Sequence, residues 1–107
     1  MVSGREFFRP ETILEARQRE MAKKEDLPQV TFSMFVLSLN TSALVHLGQI
    51  PDPETNQKKV DLKLARHTID TLDMLREKTR GNLTKEEERL LDSILYELRM
   101  LYLKASA

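Results

Sequence analysis

Apolar residues between positions 31 and 47 follow the spacing of an α-helix on two sides at once. Thr31 can cap the start of this helix and Gly48 can stop it. One arc of a helical wheel contains Phe32, Phe35, Val36, Leu39, Ala43, His46 and Leu47, and the opposite arc contains Met34, Leu37, Leu44 and Val45. Two polar seams separate the arcs, Ser33 with Asn40 and Ser38 with Ser42. A helix that is apolar on two sides should be buried on two sides, so we predict a core-facing side and a second contact surface.

Two amphipathic helices are predicted in the second half of the chain. The first begins after Asp61, runs to about Arg80 and stops at Gly81. Its apolar side consists of Leu62, Leu64, Ala65, Ile69, Leu72 and Leu75. The second begins with a capping box of Thr84 and Glu87, and its apolar stripe consists of Leu90, Leu91, Ile94, Leu95, Leu98, Leu101 and Tyr102. The short connection between these helices predicts that they pack as antiparallel neighbours.

The remaining segments complete the predicted organisation of the domain. Residues 1–29 form an N-terminal arm of good helix formers with little apolar surface, which predicts a marginal helix or a partly disordered segment. Residues 48–60 contain Pro51 and Pro53, which predict an ordered connection, with a hairpin of two very short strands as the alternative. We therefore predict an all-α protein, a small antiparallel bundle of three core helices over residues 30–104, with the marginal N-terminal helix and a tail at 105–107.

Charge and composition narrow the classes of function. The chain of 107 residues carries 17 basic and 17 acidic residues, and the balance also holds locally, so no basic face for nucleic acid or an anionic membrane is expected. There is no cysteine, and the first residues lack the layout of a signal peptide, so a cytoplasmic location is the default expectation. The uncharged segment between Leu27 and Pro51 has polar residues spread through it, which disfavours a membrane-spanning helix.

Catalytic and metal-binding patterns are missing from the sequence. We find no nucleophile with a base, no pair of carboxylates in a recognisable motif and no phosphate-binding glycine loop. His46 stands alone on an apolar arc, and a metal site would need further ligands from elsewhere. We therefore expect a protein that is not an enzyme and has no cofactor and no bound metal.

Several motifs occur in an order that resembles a known family. They are the run from Thr31 to Gly48, the segment from Ile50 to Thr55, and the segments 69–72, 78–84 and 95–99. Together they resemble the bacterial family catalogued as domain of unknown function 1844 over about residues 31–102. One departure is Asn56, where the pattern would have glycine, and asparagine also tolerates the left-handed turn. The resemblance implies a small helical bacterial protein and implies no activity.

Two hypotheses for function follow from the helix at 31–47. The first is a protein-interaction or self-associating domain, a homo-oligomer or the partner of another protein, with an interface of Met34, Leu37, Thr41, Leu44 and Val45. The alternative is a small-ligand or metal-binding module that uses the polar seam of Ser33, Ser38, Asn40, Ser42 and His46. An exposed docking loop is expected at Ile50, Pro51, Asp52, Pro53 and Glu54, because loops on a rigid scaffold often carry binding.

Overall fold

The computed structural model of the chain describes Glu15 and residues 29–107. Residues 29–107 form three helices that pack against one another: α1 (Phe32–His46), α2 (Leu62–Lys78) and α3 (Lys85–Ser106). The predicted all-α bundle is therefore confirmed for this part of the chain. The predicted N-terminal arm and its marginal helix lie outside the described residues, apart from Glu15 and Gln29.

Each helix begins at the residue that the sequence predicted as its cap. The side chains of Thr31 and Asp61 each accept a hydrogen bond at 3.1 Å from the backbone N–H three residues further on. At the start of α3, the Thr84 hydroxyl accepts from the Glu87 N–H at 3.1 Å, and the Glu87 carboxylate accepts from the Thr84 N–H at 2.9 Å. These bonds satisfy backbone donors that have no partner inside the helix, so they fix where each helix starts.

Helices α1 and α2 each end two or three residues before the glycine that was predicted to stop them. Gly48 and Gly81 have φ values of 74° and 79°, in the left-handed region that glycine adopts without strain. The second helix ends at Lys78, two positions before the predicted Arg80. The third helix runs on through Ser106 and therefore includes residues 105 and 106, which were expected in the tail.

The core lies where the three helices meet. Its buried apolar side chains are Val36, Ala43, Leu47, Ala65, Ile69, Leu72, Leu91, Ile94, Leu95 and Leu98. Two residues predicted to face the core, Phe35 and Leu64, are instead about half exposed. Each lies about 100° around its helix from the neighbouring buried residue, Val36 or Ala65, and is therefore turned out of the core. On α1 the core side extends to Leu44 instead, which packs against the buried cluster.

Ion pairs show the antiparallel packing of α2 and α3. Arg76 pairs with Asp92 at 3.0 Å, and Asp73 pairs with Arg99 at 2.9 Å. Asp73 precedes Arg76 in α2, but its partner Arg99 follows Asp92 in α3, so the two helices run in opposite directions, as the short connection predicted. All four side chains are about half exposed, so each pair contributes at most about 1 kcal/mol and mainly fixes the alignment of the helices.

The connection between α1 and α2 is an ordered loop closed at its base. Leu47 and Val60 form an isolated antiparallel bridge, and the Asp61 N–H donates to the His46 carbonyl at 2.7 Å. Asn56 has a φ of 59°, as the predicted left-handed turn requires. The described residues do not form the alternative hairpin of two short strands. They form a single bridge, which holds the loop against the end of α1.

Candidate functional site

The outward side of α1 exposes large apolar side chains. The exposed fractions of Met34, Phe35 and Leu37 are 47%, 49% and 40%. No Asp, Glu, Lys or Arg occurs between Leu27 and Pro51, although charged residues make up 32% of the chain. An exposed helix without a single charge is unusual on the surface of a small domain, where apolar patches commonly mark contact sites.

Hydroxyl groups on the same side of α1 bond back to their own helix. The Ser38 hydroxyl donates to the Phe35 carbonyl at 2.7 Å, and the Thr41 hydroxyl donates to the Leu37 carbonyl at 3.1 Å. This back-bonding satisfies the hydroxyl donors without water. The surface between the apolar side chains can therefore be covered by another protein without leaving these donors unpaired.

The five residues predicted as an interface divide between the surface and the core. Met34, Leu37 and Thr41 are exposed, and Val45 is half-buried beside them. Leu44 is also half-buried, but it packs against the core cluster. The outward side of α1 is thus formed by Met34, Leu37, Thr41 and Val45, to which the structure adds Phe35. We call these five residues the α1 face.

The predicted polar seam does not form one site. Ser33 and Asn40 are half-buried on the side of α1 that turns towards the core, close in angle to Leu44 and Leu47. Ser38 and Ser42 are exposed on the other side of the helix. Only Ser42 is brought together with His46, at the end of α1, so a ligand could meet at most part of the seam.

A groove joins the end of α1 to the predicted docking loop. Its volume is about 510 Å³, and it is lined by Thr41, Ser42, Val45, His46 and residues 50–54. Inside the loop, the Asp52 carboxylate accepts a hydrogen bond from the Glu54 N–H at 2.8 Å, and the Asp52 N–H donates to the Gln57 carbonyl at 2.9 Å. The structure therefore brings two separately predicted elements, the docking loop and the interface helix, into one depression.

A second depression of about 320 Å³ continues from the first. It shares Val45, His46 and Asp52 with the groove and reaches Leu64 at the start of α2. Leu64 is half exposed here, and most of the side chains that separate it from Val45 in this depression are polar or charged. In residues 29–107 no group of three or more histidine, aspartate or glutamate side chains is placed to hold a metal ion. None of the helices among the described residues is long and apolar enough to cross a membrane.

Sequence reasoning missed an apolar stripe on the outer side of α3. Tyr96, Met100 and Leu103 point away from the core with exposed fractions of 69%, 45% and 62%. Their alternating spacing of four and three residues was a usable signal, but the stronger inner stripe of the same helix masked it.

A cleft of about 440 Å³ between α2 and α3 lies beside this stripe and shares Leu103 with it. In the cleft, the Arg66 guanidinium carbon lies 5.9 Å from the centre of the Tyr102 ring. The neighbouring Tyr102 side chain, and after it the Asp70 carboxylate, raise the pKa of Arg66. Arg66 therefore stays charged and partnered by groups of its own chain.

A family model described as Domain of unknown function (DUF1844) matches residues 29–104. The match contains α1, α2 and all of α3 except its last two residues, and it confirms the resemblance seen in the sequence motifs. No curated protein shows significant similarity to the chain. No solved structure shows significant similarity to it either. The chain thus belongs to the DUF1844 family, and because this is a domain of unknown function, membership assigns no activity.

Proposed function

We propose that this protein is a self-associating interaction domain, in which the α1 face of one copy packs against the α1 face of a second copy. One observation carries the proposal: α1 exposes three large apolar side chains on a helix surface that has no charge. Burying apolar surface is favourable by roughly 25 cal/mol per Å². Without charges on the surface, two identical faces can meet without like-charge repulsion.

The small size of the bundle supports association. Residues 29–107 form a domain of the size at which apolar burial and conformational entropy nearly cancel. The buried cluster leaves Met34, Phe35 and Leu37 uncovered, although they are among the larger apolar residues of α1. A second copy would cover this area, and the stabilisation of the fold by association would increase as the protein concentration rises.

The groove fits this arrangement. An antiparallel pair of α1 helices about a two-fold axis places Met34 of one copy opposite Val45 of the other, beside the groove. The unbranched methionine side chain adapts to irregular apolar spaces. Ser38 and Thr41 lie at the middle of such a pair, where small side chains allow the two helices to approach closely.

The test is the solution mass of the full chain over a hundredfold range of concentration. We expect an oligomer for the wild type and at least about a tenfold weaker association for Leu37→Glu, because a charge on the α1 face cannot be buried without a partner. Met34→Glu should act in the same way. Leu44→Glu is unsuitable, because Leu44 packs on the core and its loss would unfold the domain.

The control is His67→Glu, which adds a negative charge at an exposed position of α2 outside the α1 face. It should leave the mass unchanged, and circular dichroism should show that every variant retains its helices. If Leu37→Glu and Met34→Glu remain folded and have the mass of the wild type at every concentration, self-association through α1 is wrong.

A second candidate function is the binding of a small ligand or a metal in the groove. It is supported by one observation, that the Ser42 hydroxyl, the His46 imidazole and the Asp52 carboxylate line the same depression. Binding of Zn²⁺ alone should then raise the melting temperature progressively as the Zn²⁺ concentration increases, and His46→Ala should abolish the shift. Equal melting temperatures with and without Zn²⁺ would leave metal binding without support.

A further inference from the structure

The outer stripe of α3 has the pattern of a helix-pairing seam. Tyr96, Met100 and Leu103 continue with the same spacing to Ser93 on one side and Ala107 on the other. This alternation of three and four residues is the heptad spacing of the a and d positions in a coiled coil. The stripe lies opposite the buried side of α3, so no described part of the chain covers it.

Charged residues lie along both edges of the stripe in a regular order. Asp92 and Arg99 form one edge, in the positions before Ser93 and Met100. Glu97 and Lys104 form the other edge, in the positions after Tyr96 and Leu103. On each edge the acidic residue lies towards the start of the helix and the basic residue towards its end. Such edge positions set the orientation of paired helices.

We infer that α3 pairs in an antiparallel manner with α3 of a second copy, through a contact separate from the α1 face. A parallel pair would bring Asp92 opposite Glu97 and Arg99 opposite Lys104, which are like charges. In an antiparallel pair the edge of Asp92 and Arg99 faces the same edge of the second copy, which runs in the opposite direction, and the edge of Glu97 and Lys104 does likewise. The acidic residue of one copy then approaches the basic residue of the other on both edges, so the charge pattern selects the antiparallel orientation.

The apolar positions also match in this orientation. An alignment with Tyr96 opposite Met100 of the second copy places Ser93 opposite Leu103. Each of these layers joins a larger side chain to a smaller or more flexible one, which favours close packing. Contacts between methionine sulfur and an aromatic ring add a small further stabilisation. The seam covers only about two heptads, so the pair should be weak and dependent on concentration.

The two edges differ in what they already bind. Asp92 and Arg99 are paired within the chain, with Arg76 and Asp73 of α2. Glu97 and Lys104 form no ion pair with another described residue. Substitutions at Glu97 and Lys104 therefore change the edge of the seam without breaking an ion pair inside the described part of the bundle.

The first experiment measures the mass of four full-length chains: the wild type, Leu37→Glu, Met100→Glu and the double variant. Two different two-fold contacts on one chain build assemblies larger than a dimer. We expect such an assembly for the wild type, a dimer for each single variant and a monomer for the double variant. His67→Glu again serves as the control for an added charge outside both surfaces.

The outcomes separate this inference from the proposed function. If Met100→Glu has the mass of the wild type while Leu37→Glu is smaller, the α3 pair is wrong and the α1 contact stands. The reverse result overturns the α1 contact and supports the α3 pair. A wild type that is monomeric at every concentration overturns both.

The second experiment tests the orientation by reversing charges, in the Leu37→Glu chain at low salt. Glu97→Lys should weaken the antiparallel pair about threefold to tenfold, because the new positive charge would then approach Lys104 of the second copy. The double variant Glu97→Lys with Lys104→Glu should restore the affinity of the parent. In a parallel pair, Glu97→Lys would approach Asp92 and strengthen association, so a tighter Glu97→Lys variant overturns the inference.

Discussion

At the scale of single residues, Gly48 is the position where conformation and packing act together. Its φ of 74° lies in the left-handed region, and a Cβ atom added there would lie 2.8 Å from the Val60 side chain. Gly81 has nearly the same conformation, with a φ of 79°, but a Cβ atom would meet no atom within 4 Å. The two glycines therefore form a matched pair in which only the steric contact differs.

We predict that Gly48→Ala destabilises the fold more than Gly81→Ala. Both substitutions should cost about 1 kcal/mol for an alanine in the left-handed region, and Gly48→Ala should cost more because Val60 must move. Val60 is half exposed, so Val60→Ala alone should be mild and should relieve the extra cost in the double variant. Urea denaturation of the four variants measures this, and equal effects of the two glycine substitutions would contradict it.

At the scale of helices, the sequence predicted which helices form and where they are capped better than it predicted which side of each helix faces the core. Helices α2 and α3 are amphipathic, so their apolar stripes identify the core side, and Leu64 is the one exposed residue on those stripes. Helix α1 is apolar nearly all round, and periodicity alone cannot say which side its neighbours will cover. Periodicity therefore predicts Phe35 on the core side and Leu44 on the opposite side. In the structure Phe35 is about half exposed, and Leu44 packs against the core cluster.

The same limit applies to the candidate site. The docking loop and the end of α1 were each predicted, because prolines and uncharged helices are visible in a sequence. Their meeting in one groove depends on the bridge between Leu47 and Val60, which joins residues that are distant along the chain. The polar seam failed as one site because Ser33 and Asn40 turn towards the core.

The two sides of α3 allow one substitution to be compared in two environments. Leu98 is fully buried, and Leu103 lies on the outer stripe. We predict that Leu98→Ala lowers the free energy of unfolding by about 2–5 kcal/mol, because it leaves a cavity in the core. Leu103→Ala should change it by less than about 0.5 kcal/mol in the dilute monomer and should instead weaken association. Denaturation and sedimentation of both variants check this, and a similar loss of stability in both would be inconsistent with the described burial.

At the scale of the whole molecule, the two proposed contacts should respond differently to salt. In Met100→Glu only the uncharged α1 face remains, so raising salt from about 0.05 M to about 0.5 M should leave its association unchanged or slightly stronger. In Leu37→Glu only the α3 pair remains, and the same change should weaken it by screening the charged edges. Sedimentation at both salt concentrations measures this. A shared response of the two variants would show that they report on one and the same contact.

The short connection between α2 and α3 has a consequence for the kinetics of folding. Six residues, 79–84, separate the two helices, whereas α1 reaches α2 through the longer segment of residues 47–61. The loop-closure entropy is lower for the shorter connection, so the α2–α3 hairpin can form before α1 docks. Substitutions in the hairpin should then give high φ-values in folding kinetics, and those in α1 low ones. Helix α1, which carries the α1 face, would be the last to dock, and the apolar side by which it joins the bundle would stay exposed to water until then.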